Sequence, residues 1–224
     1  MSFEGLDPRI REVLRGRGIE EPTGAQREAI PHILEGKNVL VVAHTGIGKT
    51  EAAMLPIFHR LLKEPGKGIK CIYVTPLRAL NRDMLKRLTE FGEALELKVA
   101  VRHGDTSQSE RQAQSRDPPH VLITTPETLQ VLFTGKRLRE HISRVKWVVI
   151  DEIHELAGNE RGAQLAIALE RLTELAGEFQ RIGLSATVGS VEEVAGFLGG
   201  ADREVEVVRT HVSKELDLRV EAPQ

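Results

Sequence analysis

One cysteine stands in 224 residues, aromatic residues make up only 4%, and neither charge predominates. The lone Cys71 cannot close an internal disulfide. Set in the apolar run Cys71-Ile72-Tyr73-Val74, it reads as a buried structural thiol rather than a reactive one. The scarcity of aromatics excludes binding surfaces built from stacked rings, as in OB folds and RNA-recognition motifs. Thirty-one Lys and Arg against 33 Asp and Glu give a net charge of -2, which excludes nucleic-acid binding by bulk positive charge but leaves room for a local basic stripe. No apolar run approaches the length of about 20 residues that spans a bilayer. The N-terminus lacks a basic segment followed by an apolar stretch. A cytoplasmic protein without a membrane partner is expected.

The residues present are those of an ordinary globular chain, 40% apolar and 29% charged. A core of this size needs neither metal nor disulfide to hold it. Short apolar runs, at 39–43, 71–75, 97–101, 121–124, 147–150, 182–184 and 205–208, alternate with amphipathic stretches such as 77–91 and 162–176. In the last of these, Leu165, Ala168, Leu169, Leu172 and Leu175 recur at helical spacing. Strands alternating with helices predict an α/β fold, a mostly parallel sheet with helices on both faces. Strands buried on both sides explain runs that are continuously apolar. Two segments, 64–68 and 116–119, read as loops.

The most informative stretch is Ala43-His44-Thr45-Gly46-Ile47-Gly48-Lys49-Thr50, between an apolar strand and a helix opening with Glu51. Successive backbone N–H groups in such a loop point at a polyphosphate, and glycines let the chain curl that tightly. Thr45, Gly46, Ile47 and Gly48 would form the cradle. Lys49 would reach the β and γ phosphates, and the Thr50 hydroxyl would ligate Mg²⁺. Ala43 stands where the generic pattern has glycine.

Next comes Val148-Val149-Ile150-Asp151-Glu152-Ile153-His154, an apolar strand ending in two carboxylates at the edge where open α/β sheets bind ligands. Alone, the pair would read as a helix start. Beside a phosphate loop, Asp151 reads as a holder of Mg²⁺ and Glu152 as the base for an attacking water. Ser185-Ala186-Thr187 follows another strand and offers small hydroxyls, with a helix cap at Ser190 as the plainer role of this region. Thr23 and Gln26 fit a capping box. Gln26 also suits an adenine edge, and one amide cannot serve both roles at once.

In order and spacing these motifs resemble those of the superfamily 2 DExH helicases. Pro76-Leu77-Arg78-Ala79-Leu80 and Thr124-Thr125-Pro126-Glu127 are similar to two further motifs of that group. The finer features of Gly48-Lys49-Thr50-Glu51, Asp151-Glu152-Ile153-His154-Glu155-Leu156 and Leu184-Ser185-Ala186-Thr187 are most similar to the large helicase-related (Lhr-type) DNA helicases. The resemblance runs from about residue 18 to 200. It implies a first RecA-like P-loop domain that binds ATP and Mg²⁺, with Lys49, Asp151 and Glu152 catalytic and with Gln26 and a stacking Phe3 on the base. It implies coupling of hydrolysis to movement through His154, Ser185 and Thr187. It further implies a track for single-stranded nucleic acid, DNA before RNA, along Pro76, Arg78, His103, Gly104, Thr125, Pro126 and Glu127.

The family's second RecA-like domain, which supplies arginine fingers, has no candidate after Thr187. The expectation is one RecA-like domain over 1–210, an edge strand or the start of an interdomain linker over 211–224, and a partner domain in a longer chain. An RNA remodeller and a non-catalytic nucleotide-binding module are the alternatives.

Overall fold

The computed structural model describes residues 3–64, 66–76, 82–186 and 189–210. Seven strands form one sheet: β1 (Val39–Val42), β2 (Cys71–Val74), β3 (Val99–Arg102), β4 (Val121–Thr124), β5 (Trp147–Ile150), β6 (Gln180–Ser185) and β7 (Glu206–Arg209). Their order across the sheet is β3-β4-β2-β5-β6-β1-β7, and every pairing is parallel. The helices are α1 (Pro8–Gly16), α2 (Gly24–Leu34), α3 (Lys49–Lys63), α4 (Arg82–Ala94), α5 (Gln108–Arg116), α6 (Pro126–Leu132), α7 (Lys136–Ile142), α8 (Glu160–Ala176) and α9 (Val191–Gly199). Among the described residues no helix is long and apolar enough to cross a membrane.

Strand alternation divides the core in two. Val39, Val41, Cys71, Tyr73, Trp147 and Val149 join α1 to α4 on one face. Leu40, Val42, Ile72, Val74, Val148 and Ile150 join α6 to α9 on the other. Both faces are therefore apolar, as the continuous runs require.

The expected strands all form, β4 and β5 with the expected ends and the others with shifted ones. The run at 97–101 begins too early because Leu97 closes the turn after α4, its N–H donating to Gly92 O at 2.8 Å. The run at 182–184 lengthens to Gln180–Ser185. Arg181 reads as a strand boundary, yet it is 1% exposed. Its guanidinium donates to Glu170 at 2.9 Å, Thr173 at 3.2 Å and the Leu198 carbonyl at 3.3 Å. The helix expected at 77–91 is α4, whose first expected residues, 77–81, fall outside the described set, as does the tail 211–224.

The first turn of α8 presses on the segment after Glu152. Space fixes the identity of Gly162 there, since a Cβ would stand 2.0 Å from the Leu156 carbonyl oxygen. Gly162→Ala is expected to destabilise the fold by about 1–3 kcal/mol. At Gly196 in α9 a methyl meets nothing within 4 Å, and Gly196→Ala should stabilise by about 0.4–1 kcal/mol. Urea unfolding of the two variants checks the opposite signs.

Candidate active site

Parallel pairing brings the carboxyl ends of all strands to one edge, and the motif residues gather there. β1 delivers the phosphate loop, β6 delivers Ser185, and β5 delivers Asp151 and Glu152. Further along the edge, β2 delivers Pro76, β4 delivers Thr125, and β3 delivers His103. The strand order thus sets the phosphate loop and the Asp-Glu pair beside Pro76, Thr125 and His103.

In the loop, Gly46 and Gly48 take φ of 87° and 80°, the left-handed region that glycine adopts freely. At Gly48 space adds a second constraint, because a Cβ would lie 2.4 Å from Gln26 Nε2. Gly48 caps α3 without a side-chain hydrogen bond, so the first N–H groups of that helix point outward without a capping side chain. Lys49 opens α3 and is buried, its Nζ donating to the Ala43 carbonyl at 2.7 Å. Burial lowers the proton affinity of Lys49, opposed by the charges of Glu152 and Asp151.

Gln26 resolves the competition for its amide. Its Oε1 accepts from Thr23 N–H at 3.1 Å and the Thr23 hydroxyl accepts from Gln26 N–H at 3.3 Å, the reciprocal capping box of α2. Its Nε2 donates to the Gly48 carbonyl at 3.3 Å. The Thr23 hydroxyl donates to the Ile47 carbonyl at 2.9 Å. The capping box therefore also ties α2 to the phosphate loop. Phe3 is buried, and with Gln26, Pro22, Arg27 and Ile30 it lines a cavity of 340 Å³. A larger cleft of 1050 Å³, around Asn38, Lys146 and Gln180, contains none of the motif residues.

Asp151 is buried at the end of β5. Its N–H donates to the Val74 carbonyl at 2.8 Å, which locks it to β2. Oδ1 accepts from Glu152 N–H at 3.0 Å and Oδ2 from the Tyr73 hydroxyl at 2.8 Å. Burial pushes its carboxyl up to about 6, with the Tyr73 hydrogen bond working the other way. Glu152 sits at φ 45°, ψ 42°, a left-handed conformation that costs a non-glycine residue of order 1 kcal/mol or more.

His154 Nδ1 lies 3.5 Å from Glu152 Oε2 and 3.4 Å from the Ala186 N–H. One nitrogen faces both groups: a neutral ring accepts from Ala186, and a protonated ring donates to Glu152. The link between the Asp-Glu motif and Ser185-Ala186 thus runs through the Ala186 backbone. The buried Ser185 hydroxyl turns instead to the Ala186 carbonyl, at 2.9 Å. Ser190 caps α9, as its plainer role predicted. Thr187 lies outside the described residues.

At the β2-β4-β3 end of the edge, Thr125 caps α6, its hydroxyl accepting from Thr128 N–H at 3.3 Å, and Pro126 is the first helical residue. Glu127 is engaged by Arg161 of α8 at 2.6 Å. His103 and Gly104 form a tight turn in which His103 Nδ1 accepts from Asp105 N–H at 3.2 Å. Arg111 braces that turn by donating to the carbonyls of His103, Gly104 and Thr106. Pro76 is buried beside β4. Arg78 lies outside the described residues. Sequence reasoning missed Tyr73 and Arg111, a hydroxyl inside an apolar run and a cation on an otherwise polar helix; neither carries a motif.

This ordered edge is that of a helicase domain. A DEAD/DEAH box helicase family model matches residues 23–194, and the chain belongs to that family. It is 44% identical to an ATP-dependent helicase Lhr-Core of Methanothermobacter thermautotrophicus, over 97% of this chain and 28% of the relative. It is 40% identical to the Lhr helicase/uracil glycosylase of Escherichia coli, over 92% of this chain and 15% of that protein. Among solved structures, Mycobacterium smegmatis helicase Lhr bound to ssDNA and AMP-PNP superposes with a TM-score of 0.85 at 39% identity, over 96% of this chain and 29% of that one. The chain thus spans under a third of the length of these relatives.

The raised Asp151 carboxyl has a consequence for stability. A carboxyl that binds its proton more tightly when folded contributes stability at low pH, lost as pH rises through about 6. The loss amounts to about 3 kcal/mol between about pH 4 and pH 7. Asp151→Asn should remove this dependence, so the thermal midpoint of the variant should gain on the parent as pH rises across that range.

Proposed function

We propose that this chain is the ATP-binding domain of an ATP-dependent helicase that translocates along single-stranded nucleic acid and opens duplexes, with DNA as its substrate. The observation that carries the reading is the loop from β1 to Lys49 and the Asp151–Glu152 pair at the end of β5, on either side of β6, beside a helix N-terminus without a side-chain cap. The relative bound to ssDNA and AMP-PNP supports ATP and DNA as ligands.

Backbone N–H groups from Thr45 to Lys49 would cradle the phosphates, and Lys49 would exchange the Ala43 carbonyl for them. Gln26 would read the adenine edge, exchanging its Thr23 and Gly48 partners, with Phe3 packed beneath the base. Thr50 and Asp151 would hold Mg²⁺. Among the described residues no group of three or more His, Cys, Asp or Glu forms a metal cage. That fits an ion which keeps its waters and takes one or two protein oxygens. When bound, Mg²⁺ neutralises charge on the phosphates. Glu152 would take the proton of the attacking water.

His154 and Ser185, with Thr187, would carry the state of the site to the track of Pro76, Arg78, His103, Gly104, Thr125, Pro126 and Glu127. We assign residues 1–210 to this domain and 211–224 to its exit. The arginine finger belongs to a second RecA-like domain of a longer protein, and the setting is cytoplasmic.

Lys49→Ala should abolish nucleotide binding measured by calorimetry. In the full-length protein Glu152→Gln should retain binding and lose hydrolysis, because an amide cannot take a proton. Residues 1–224 alone should hydrolyse ATP about 10³–10⁵ times more slowly than the full-length protein, the usual effect of a missing arginine finger. They should also open no duplex in a fluorescence assay. Stimulation of the full-length ATPase by single-stranded RNA but not by single-stranded DNA would overturn the choice of DNA.

A further inference from the structure

The chain contains one tyrosine, Tyr73. It is the third residue of β2, wholly buried, and faces the α1–α4 side of the sheet. The cluster around it is otherwise made of aliphatic side chains, Phe, Trp, Met and Cys. A phenylalanine would satisfy that core, and a hydroxyl placed there is costly unless it finds a partner. Its partner is Asp151 Oδ2, at 2.8 Å.

Register explains the contact. β2 and β5 pair in parallel with Tyr73 opposite Val149. Asp151 lies two residues beyond Val149, about 6.5 Å along the strand and on the same face. A tyrosine side chain covers that distance. Asp151 Oδ1 is already taken by Glu152 N–H at 3.0 Å, so the phenol fixes the second oxygen and with it the plane of the carboxylate. The phenol thus orients one of the two side chains that were given to Mg²⁺ above.

We infer that Tyr73 is a positioning residue for metal-linked nucleotide binding: its hydroxyl holds the Asp151 carboxylate in the orientation that a Mg²⁺–nucleotide requires. The inference rests on the ATP-site reading. It adds that nucleotide affinity divides into a part that needs this hydroxyl, expressed only with Mg²⁺, and a part from the phosphate loop and Lys49 that does not.

Calorimetry of ADP binding to this chain, with Mg²⁺ and with EDTA, separates the two. Tyr73→Phe should lose more than about tenfold in affinity with Mg²⁺ and less than about twofold in EDTA, the size of one hydrogen bond to a charged group. In the Asp151→Asn background the same exchange should cost little more. Equal losses with and without Mg²⁺ would make Tyr73 a merely structural residue and overturn the inference, as would no loss in either. A parent chain that binds ADP in neither condition would instead sink the ATP-site reading itself, and the inference with it.

A second measurement does not depend on the variant folding. With tyrosine labelled at ¹³Cζ, the parent chain gives one tyrosine signal. Mg²⁺–ADP should shift it, and ADP in EDTA should leave it in place. A signal unmoved by Mg²⁺–ADP at saturation would refute the role.

Discussion

Parallel pairing of seven strands puts every strand end on a common edge, and the chemistry of the site follows from that geometry. An antiparallel neighbour would send its loop to the far side. Here β1, β6 and β5 lie side by side and contribute the loop, the serine and the two carboxylates, while β2, β4 and β3 continue the same edge with Pro76, Thr125 and His103. Ser185, Asp151, Glu152, Pro76, Thr125 and His103 all lie within two residues of a strand end. β1, β2, β4 and β5, buried along their whole length, hold these residues rigidly.

The centre of that edge combines costs that the rest of the fold must offset. Asp151 is buried and resists ionisation, Lys49 is buried and holds its proton less firmly, and Glu152 is held in a left-handed backbone. Strain and desolvation of this kind persist where surrounding structure over-determines them. The surroundings here are the Val74 carbonyl behind Asp151, the Tyr73 hydroxyl, and the Ala43 carbonyl that receives Lys49. A ligand that brought an anion to Lys49 and a cation to the carboxylates would relieve the same charges.

Much of this was legible in the residues. The phosphate loop depends on backbone N–H groups and glycine conformations, and these leave a local signature. The alternating runs gave the parallel sheet because strands buried on both faces must be continuously apolar. Tyr73 and Arg181 were not legible. A hydroxyl or a guanidinium within a strand is interpretable only once its partner, Asp151 in one case and Glu170 in the other, is placed beside it by pairing between distant segments. Gln26 was half legible: the capping box showed in the spacing, while the bond to the Gly48 carbonyl needed α2 and α3 to pack. Glu127, read from the motif as part of the track, spends its carboxylate on Arg161, a contact across 34 residues that no local pattern announces.

The position of β1 also bears on how the molecule comes into being. Its partners are β6 and β7, and Val39 pairs with Ile182 and Glu206. A chain leaving the ribosome N-terminus first therefore releases the phosphate loop long before the strands that hold it. Until residue 185 has emerged, β1 has two open edges and Lys49 has no carboxylates across from it. Such distant pairing is slow to form and leaves unpaired edges exposed in the meantime. A ligand seated on this edge would then bind only the finished sheet, and its presence during synthesis would favour completed chains over partial ones.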